Sequence, residues 1–401
     1  MHPCYLCGAE AAINAVDLGQ QPISNRFLKT PGDGEALFPL VLFQCGACGL
    51  VQIEKAPPAA ELCPTYDWIT YNEPEPHLDS LASTIAKLPG LTPQSAIWGI
   101  SFKDDSLLRR LENLGFPNTY RLDMRADLQI DFTGAGAETI QDRLDPAAMR
   151  LLADRRGPAQ VLIVRHIIEH AHDLKRFTDA LRALIAPDGY IVLEAPDCQQ
   201  AFTLRDYTTI WEEHTLYLTE SSFRSLFSGM GLDVVYYENY PYAFENSLIG
   251  IGRAGTSHAN EAIPALSEQD KRRLEQFASH YPLHKSALAK YLKDFRETRG
   301  KVALLGAGHL ACAFINYLEL SDHIEFVADD NRHKQGLFMP GSRLPIKPSS
   351  ALIDEDVKLC LFSFSPEIEE KVVDKQRAFL ERGGEFASIF PASGRALRIG
   401  G

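Results

Sequence analysis

Three observations predict an α/β chain built in three parts. Strands alternate with helical patterns from about residue 95, a second such alternation begins at residue 301, and two Cys-x-x-Cys pairs fall within the first fifty residues. The expected order is a small four-cysteine module, a central sheet that is mostly parallel, and a C-terminal Rossmann-like unit. A length of 401 residues suits two or three domains at about 100–200 residues each. Apolar residues make up 45% and charged residues 23%, the balance of a folded globular protein. The net charge of −13 leaves no basic footprint for nucleic acid. No run reaches about 18 consecutive apolar residues, and the start MHPCYLCGAE has neither a basic n-region nor an apolar h-region. The expectation is a cytoplasmic protein without a membrane span.

Four of the eight cysteines form the pairs Cys4/Cys7 and Cys45/Cys48; Cys63, Cys198, Cys312 and Cys360 are scattered singly. Each pair runs into glycine (CYLCG, CGACG), as in a zinc knuckle, where a tight turn points two thiolates at one ion. A disulfide or a redox-active pair is the alternative, but a duplicated knuckle in a reducing compartment favours tetrahedral zinc on four thiolates. Such a site has no open position for water, so the zinc is expected to be structural. The module is assigned residues 1–72.

A helix-like segment, 76–88, opens the next part, assigned to 73–255. Its pattern runs through SAIWGI, a helix at LLRRLENL, TYRLDM, AQVLIVRH, a helix at FTDALRALI, YIVLEAP, a helix at FRSLFSGM, and LDVVYYE. Phe177, Leu181, Leu184 and Ile185 recur at helical spacing, and APDGY stops that helix before the next strand. Such alternation puts a site at the strand C-termini. Residues 256–299 read as a charged helical connector, ALSEQDKRRLEQFASHY and then KSALAKYLKDFRETRG. At KVALLGAGHLACAFINYL a second βαβ pattern begins, and the third part is assigned residues 256–401.

This order resembles the sugar C-methyltransferases of deoxysugar biosynthesis over nearly the whole chain. LGQQPISNRF (18–27) is similar to the run those proteins carry between their knuckles. HIIEHAHD (166–173), PDGYIVLEAPD, WEEHTLY (211–217) and ADDNRHKQGLFMPGSRLPI (328–346) match further family segments. The resemblance implies a class I methyltransferase-like Rossmann sheet in the middle and a C-terminal Rossmann-like domain that contacts substrate. It also implies S-adenosylmethionine as donor, methylation of a carbon beside a ketone on a nucleotide-linked sugar, and a histidine base.

Carbon methylation needs a base for an acidic C–H, help for the enolate, and a methyl held in line with the carbanion. Inside WEEHTLY the base is His214, with Glu213, or Glu212, to orient it or raise its basicity. Trp211 stands where the family has a tyrosine and offers only an N–H donor. Tyr66 and Tyr71, where the family has an aromatic-serine run, are candidates to replace that hydroxyl. The donor turn WGISFKDDSLL (98–108) departs from the family's glycine-rich pattern: Asp104 persists, while Ser101 and Asp105 stand where glycines are expected. The expected donor contacts are Gly99, Ser101, Asp104, Asp123 as a ribose-binding carboxylate at the end of the second strand, and His166.

Two other motifs compete. His166-x-x-Glu169-His170 spells an inverted zinc-peptidase pattern, which requires a helix, whereas here the segment follows a strand. Gly306-x-Gly308-x-x-Ala311 after KVALL, with Asp329 and Asp330 about 20 residues on, is a dinucleotide fingerprint and leaves NAD open as a cofactor. The rival readings are proton or NAD-dependent chemistry on the same scaffold, and a non-catalytic partner in a biosynthetic complex.

Overall fold

The structure, a computed structural model, describes residues 3–66, 75–131, 135–255 and 263–399. Both knuckles turn at a glycine with positive φ, +72° at Gly8 and +82° at Gly49, which a side chain would strain. The Gly8 and Gly49 amides donate back to the Cys4 and Cys45 carbonyls at 2.9 Å. Strands β1 (Ala12–Pro22), β2 (Leu37–Cys45) and β3 (Val51–Ile53) belong to this region.

Seven strands follow: β4 (Ile97–Gly99), β5 (Thr119–Arg121), β6 (Ala159–Arg165), β7 (Ile185–Asp197), β8 (Leu216–Tyr217), β9 (Asp233–Tyr240) and β10 (Asn246–Arg253). Six of them form a sheet of order β5-β4-β6-β7-β10-β9. It is parallel from β5 to β7, with β10 and β9 added antiparallel. Successive residues point to opposite faces. Trp98, Leu162, Val164, Ile191 and Leu193 pack with Phe177, Leu181 and Leu184 of the helix Leu174–Leu184. Ile97, Val161, Ile163 and Val192 pack with Leu107, Leu108 and Leu111 of the helix Asp105–Asn113. The strands are therefore buried on both faces, as a parallel sheet requires. The remaining strand, β8, pairs antiparallel with β3.

The C-terminal sheet is wholly parallel: β11 (Lys301–Leu305), β12 (Val327–Ala328), β13 (Ile346–Lys347), β14 (Val357–Phe362) and β15 (Glu385–Ser388), in the order β13-β12-β11-β14-β15. By its internal contacts the chain separates into two compact units. One holds residues 1–13, 43–199 and 213–270; the other holds 14–42, 200–212 and 271–401. Neither is one continuous stretch: 14–42 and 200–212, which precede the boundary expected at 255/256, fold into the second unit.

Two features differ from the sequence reading. The connector is one helix, Glu268–Thr298, running through Pro282 rather than two runs broken there. Its buried residues Leu274, Phe277, Leu288, Leu292 and Phe295 lie on both sides of the proline, so side-chain burial outweighs the missing N–H. Strand β10 was unforeseen because Gly250 and Gly252 weaken a strand pattern. In the fold they make room for Phe227, whose ring would meet a Cβ at 2.6 and 2.4 Å. Among the described residues no helix is long and apolar enough to cross a membrane.

Candidate active site

The four thiolates converge as the spacing predicts. Cys4 Sγ lies 3.6 Å from Cys48 Sγ, and Cys7 Sγ 3.6 Å from Cys45 Sγ. Bonds of about 2.3 Å to a tetrahedral zinc would separate sulfurs by about 3.8 Å, so this set fits the ion.

At the C-terminal ends of β4 and β6 the chain makes two turns that lock together. Gly99 has no room for a side chain, since a Cβ would come 2.8 Å from the Asp104 Cβ. Asp104 is fully buried: its Oδ2 accepts from the amides of Ile100 (2.7 Å) and Ser101 (2.8 Å), and its Oδ1 from the amide of Arg165 (3.0 Å). Burial pushes its carboxyl up to about 7 against those donors. The Ser101 hydroxyl accepts from the Lys103 amide within the same turn. Three expected donor contacts, Gly99, Ser101 and Asp104, are thus brought together, with the polar side-chain atoms of Ser101 and Asp104 engaged in holding the turn. Asp123 follows the neighbouring strand β5 and is exposed, its Oδ1 accepting from the amides of Arg125 (2.9 Å) and Ala126 (2.6 Å).

His166 stands one residue past the end of β6 with φ +49°, a conformation that turns the chain sharply there. Its Nε2 lies 3.0 Å from Glu194 Oε1. Glu194, buried in β7, also accepts from Arg165 Nε and, at 2.9 Å, from Ser247 Oγ, and His77 Nε2 is 3.0 Å away. Burial alone would raise this carboxyl, but His166, His77 and Arg165 hold it well below the usual range. The 166–170 segment forms a short 3-10 turn, Ile168–His170, not the helix that a zinc peptidase needs, and His166 and His170 face different carboxylates.

His214 meets this turn through its neighbour. The Thr215 amide donates to the Glu169 carbonyl at 2.7 Å, and its hydroxyl contacts the Glu169 and Ala171 carbonyls at 3.0 and 2.8 Å. On the other side the Ile53 amide donates to the Thr215 carbonyl at 3.1 Å. The His214 ring therefore stands edge-on to His170, with centroids 4.6 Å apart. Glu213 is buried and interacts with the side chain of Glu138, whose Oε1 is 3.4 Å from His170 Nδ1. Burial, then the nearby His214 and Lys103, lowers the His170 pKa well below the usual value, so its ring is neutral. Burial raises the Glu138 carboxyl.

The other half of the WEEHTLY segment belongs to the second unit. Glu212 does not serve His214: its Oε1 accepts from the Ser24 amide at 2.6 Å and its Oε2 from the Ser24 hydroxyl at 3.0 Å. That contact accounts for the serine in LGQQPISNRF. Trp211 stacks on His309 at 4.1 Å. In the glycine loop 306–308 the Ala307 amide donates to Asp329 Oδ2 at 2.9 Å, and Lys334 Nζ donates to the Ala307 carbonyl and to Asp329. Tyr66 is half-buried just before residues 67–74, and Tyr71 lies outside the described residues. Glu138 went unnoticed in the sequence because nothing in AETIQDR marks a functional acid. His170 was visible only as part of the wrong motif.

Comparison with known proteins finds three family matches along the chain. Residues 4–62 match a zinc binding domain family, 103–237 a methyltransferase domain family, and 257–391 a family described as the C-methyltransferase C-terminal domain. The chain is 25% identical over 406 residues to the C-methyltransferase NovU of Streptomyces niveus, covering 97% of this chain and 95% of that one. Two solved structures show a more distant likeness. The 1,6-didemethyltoxoflavin-N1-methyltransferase of Burkholderia thailandensis gives a TM-score of 0.31 at 10% identity, over 45% of this chain and 80% of its own. The magnesium protoporphyrin IX methyltransferase of Synechocystis gives 0.31 at 16%, over 44% and 81%.

Proposed function

We propose that this chain, which belongs to the C-methyltransferase family, methylates a carbon beside the ketone of a nucleotide-linked keto-sugar or a similar activated small molecule, with His214 as the general base. The observation that carries the reading is the anchoring of Thr215, which holds His214 against the turn after β6 at the C-terminal edge of the sheet. A histidine whose next residue is fixed by bonds from its amide, hydroxyl and carbonyl is what proton abstraction needs, because a misplaced base loses rate steeply. His214 takes the proton from carbon. Glu213, turned to Glu138 and His170, orients its neighbours and transfers nothing.

S-adenosylmethionine, when bound, supplies the electrophilic methyl group. The residues fit it at the ribose end, where the exposed Asp123 carboxylate follows β5 next to the turn 99–104. At the amino-acid end that turn is closed by Asp104, so the chain offers backbone and His166 rather than a glycine cradle. The zinc on Cys4, Cys7, Cys45 and Cys48 is structural. NAD at Gly306–Ala311 has less support, since the acid that would take ribose hydroxyls, Asp329, already receives the loop amide and Lys334. Calorimetry separates the readings: saturable heat with S-adenosylhomocysteine and none with NAD is expected, and the reverse contradicts the methyltransferase reading.

A further inference from the structure

Three carboxylates, Glu138, Glu169 and Glu213, lie in the first unit with no more than 6% of their surface exposed. The ligand atoms of Glu138, His170 and Glu213 all lie within 4.8 Å of one another, and so do those of Glu169, His170 and His214. Burying like charges this closely requires a proton or a cation between them. Lys103 acts on Glu138, and His166 Nδ1 is 3.7 Å from Glu169 Oε1, but His166 is shared with Glu194.

The orphaned atoms point the same way. His170 bonds to the backbone carbonyl of Glu213, while its Nδ1 has no hydrogen-bond partner among the described residues. An imidazole held by a backbone carbonyl through one ring nitrogen, with the other nitrogen buried and unpartnered, has the usual posture of a metal ligand. Here that nitrogen lies 3.4 Å from Glu138 Oε1. Glu138 Oε2 and Glu169 Oε2 are likewise buried without a partner among the described residues. The backbone makes room for this carboxylate, since a Cβ on Gly136 would fall 2.4 Å from Glu138 Oε2.

We propose that Glu138, His170 and Glu213 hold a divalent transition-metal ion, with Glu169 and His214 on its open side. One imidazole and two carboxylates suit Mn²⁺, Fe²⁺ or Zn²⁺ better than Ca²⁺ or Mg²⁺. Unlike the four-thiolate zinc, this ion keeps open positions. An enolate oxygen would bind there, a role that rests on the C-methyltransferase reading, whereas the ion itself does not.

The test needs neither donor nor acceptor, so failure of the ion and failure of that reading are separate results. Zinc-loaded full-length protein is titrated with Mn²⁺, and bound ion is read from the loss of the free Mn²⁺ paramagnetic resonance signal. One Mn²⁺ per chain is expected, with nitrogen coupling from one histidine in spin-echo spectra. Glu138→Gln should weaken it by at least about tenfold, and His170→Asn should abolish the nitrogen coupling. Should either variant misfold, the wild-type stoichiometry and nitrogen coupling still decide. No Mn²⁺ bound, no nitrogen coupling, or unchanged affinity in folded Glu138→Gln protein would overturn the proposal and leave a proton shared between Glu138 and Glu213.

Discussion

Of the acids beside His214 in the sequence, Glu212 is turned to another partner. Glu212, two residues before it, bonds to Ser24, and the His214 ring stands edge-on to His170 from the turn after β6. If His214 removes the carbon-bound proton, His214→Asn lowers turnover by about 10²–10⁴-fold with little loss of stability, and exchange of that proton with deuterated water stops even without the methyl donor. Glu213→Gln, changing a group that orients rather than transfers, costs less. A His214→Asn protein that exchanges and turns over normally takes the histidine out of the mechanism, and Tyr66 becomes the next residue to test. At this scale the sequence was informative where a residue's role is set by its immediate segment, as for the cysteines and Gly8. It was silent where the partner is distant, as for Glu138 at His170. It was incomplete at Ser101 and Asp104, whose polar atoms close the turn on itself.

Elements were legible where apolar residues repeat at a clear period, as in β6, β7 and the helix Leu174–Leu184. They were illegible where packing overrode local preference: β10 keeps two glycines for Phe227, and the helix Glu268–Thr298 passes through Pro282. That helix also carries a titration. Burial, then nearby His280, pushes His284 down to about 4, against about 6.5 in an unfolded chain. Between these values the unfolded state binds the extra proton, so stability is present above pH 6.5 and is lost as pH falls toward 4. Denaturant unfolding at several pH values should find that His284→Gln flattens the slope in this window. Superimposable wild-type and variant profiles would remove His284 as a source of acid sensitivity.

Across the molecule, the zinc knuckle and His214 are joined by a short path of backbone. Cys45 and Cys48 close the turn that leads into β3; β3 pairs with β8, two residues past His214, and Ile53 bonds to Thr215. Cys4, Cys45 and Cys48 also share one core with Trp98 and Leu162 of the methyltransferase sheet and with Leu216 of β8. Zinc loss is therefore expected to unfold the module and disturb the site together, because ligand geometry and folding are linked. Cys45→Ser should lose zinc by elemental analysis, melt at lower temperature and lose most activity. A zinc-free variant with unchanged melting and turnover would separate the two.

The central claim is methyl transfer to carbon, and one measurement reaches it directly. The protein is incubated with S-adenosylmethionine carrying a ¹³C methyl group and a nucleotide-linked keto-sugar, and the product is followed by mass and carbon resonance. One labelled methyl per acceptor is expected, with the chemical shift of a methyl bonded to carbon and no product from His214→Asn protein. Label on oxygen or nitrogen, or full labelling by the His214→Asn protein, would contradict it.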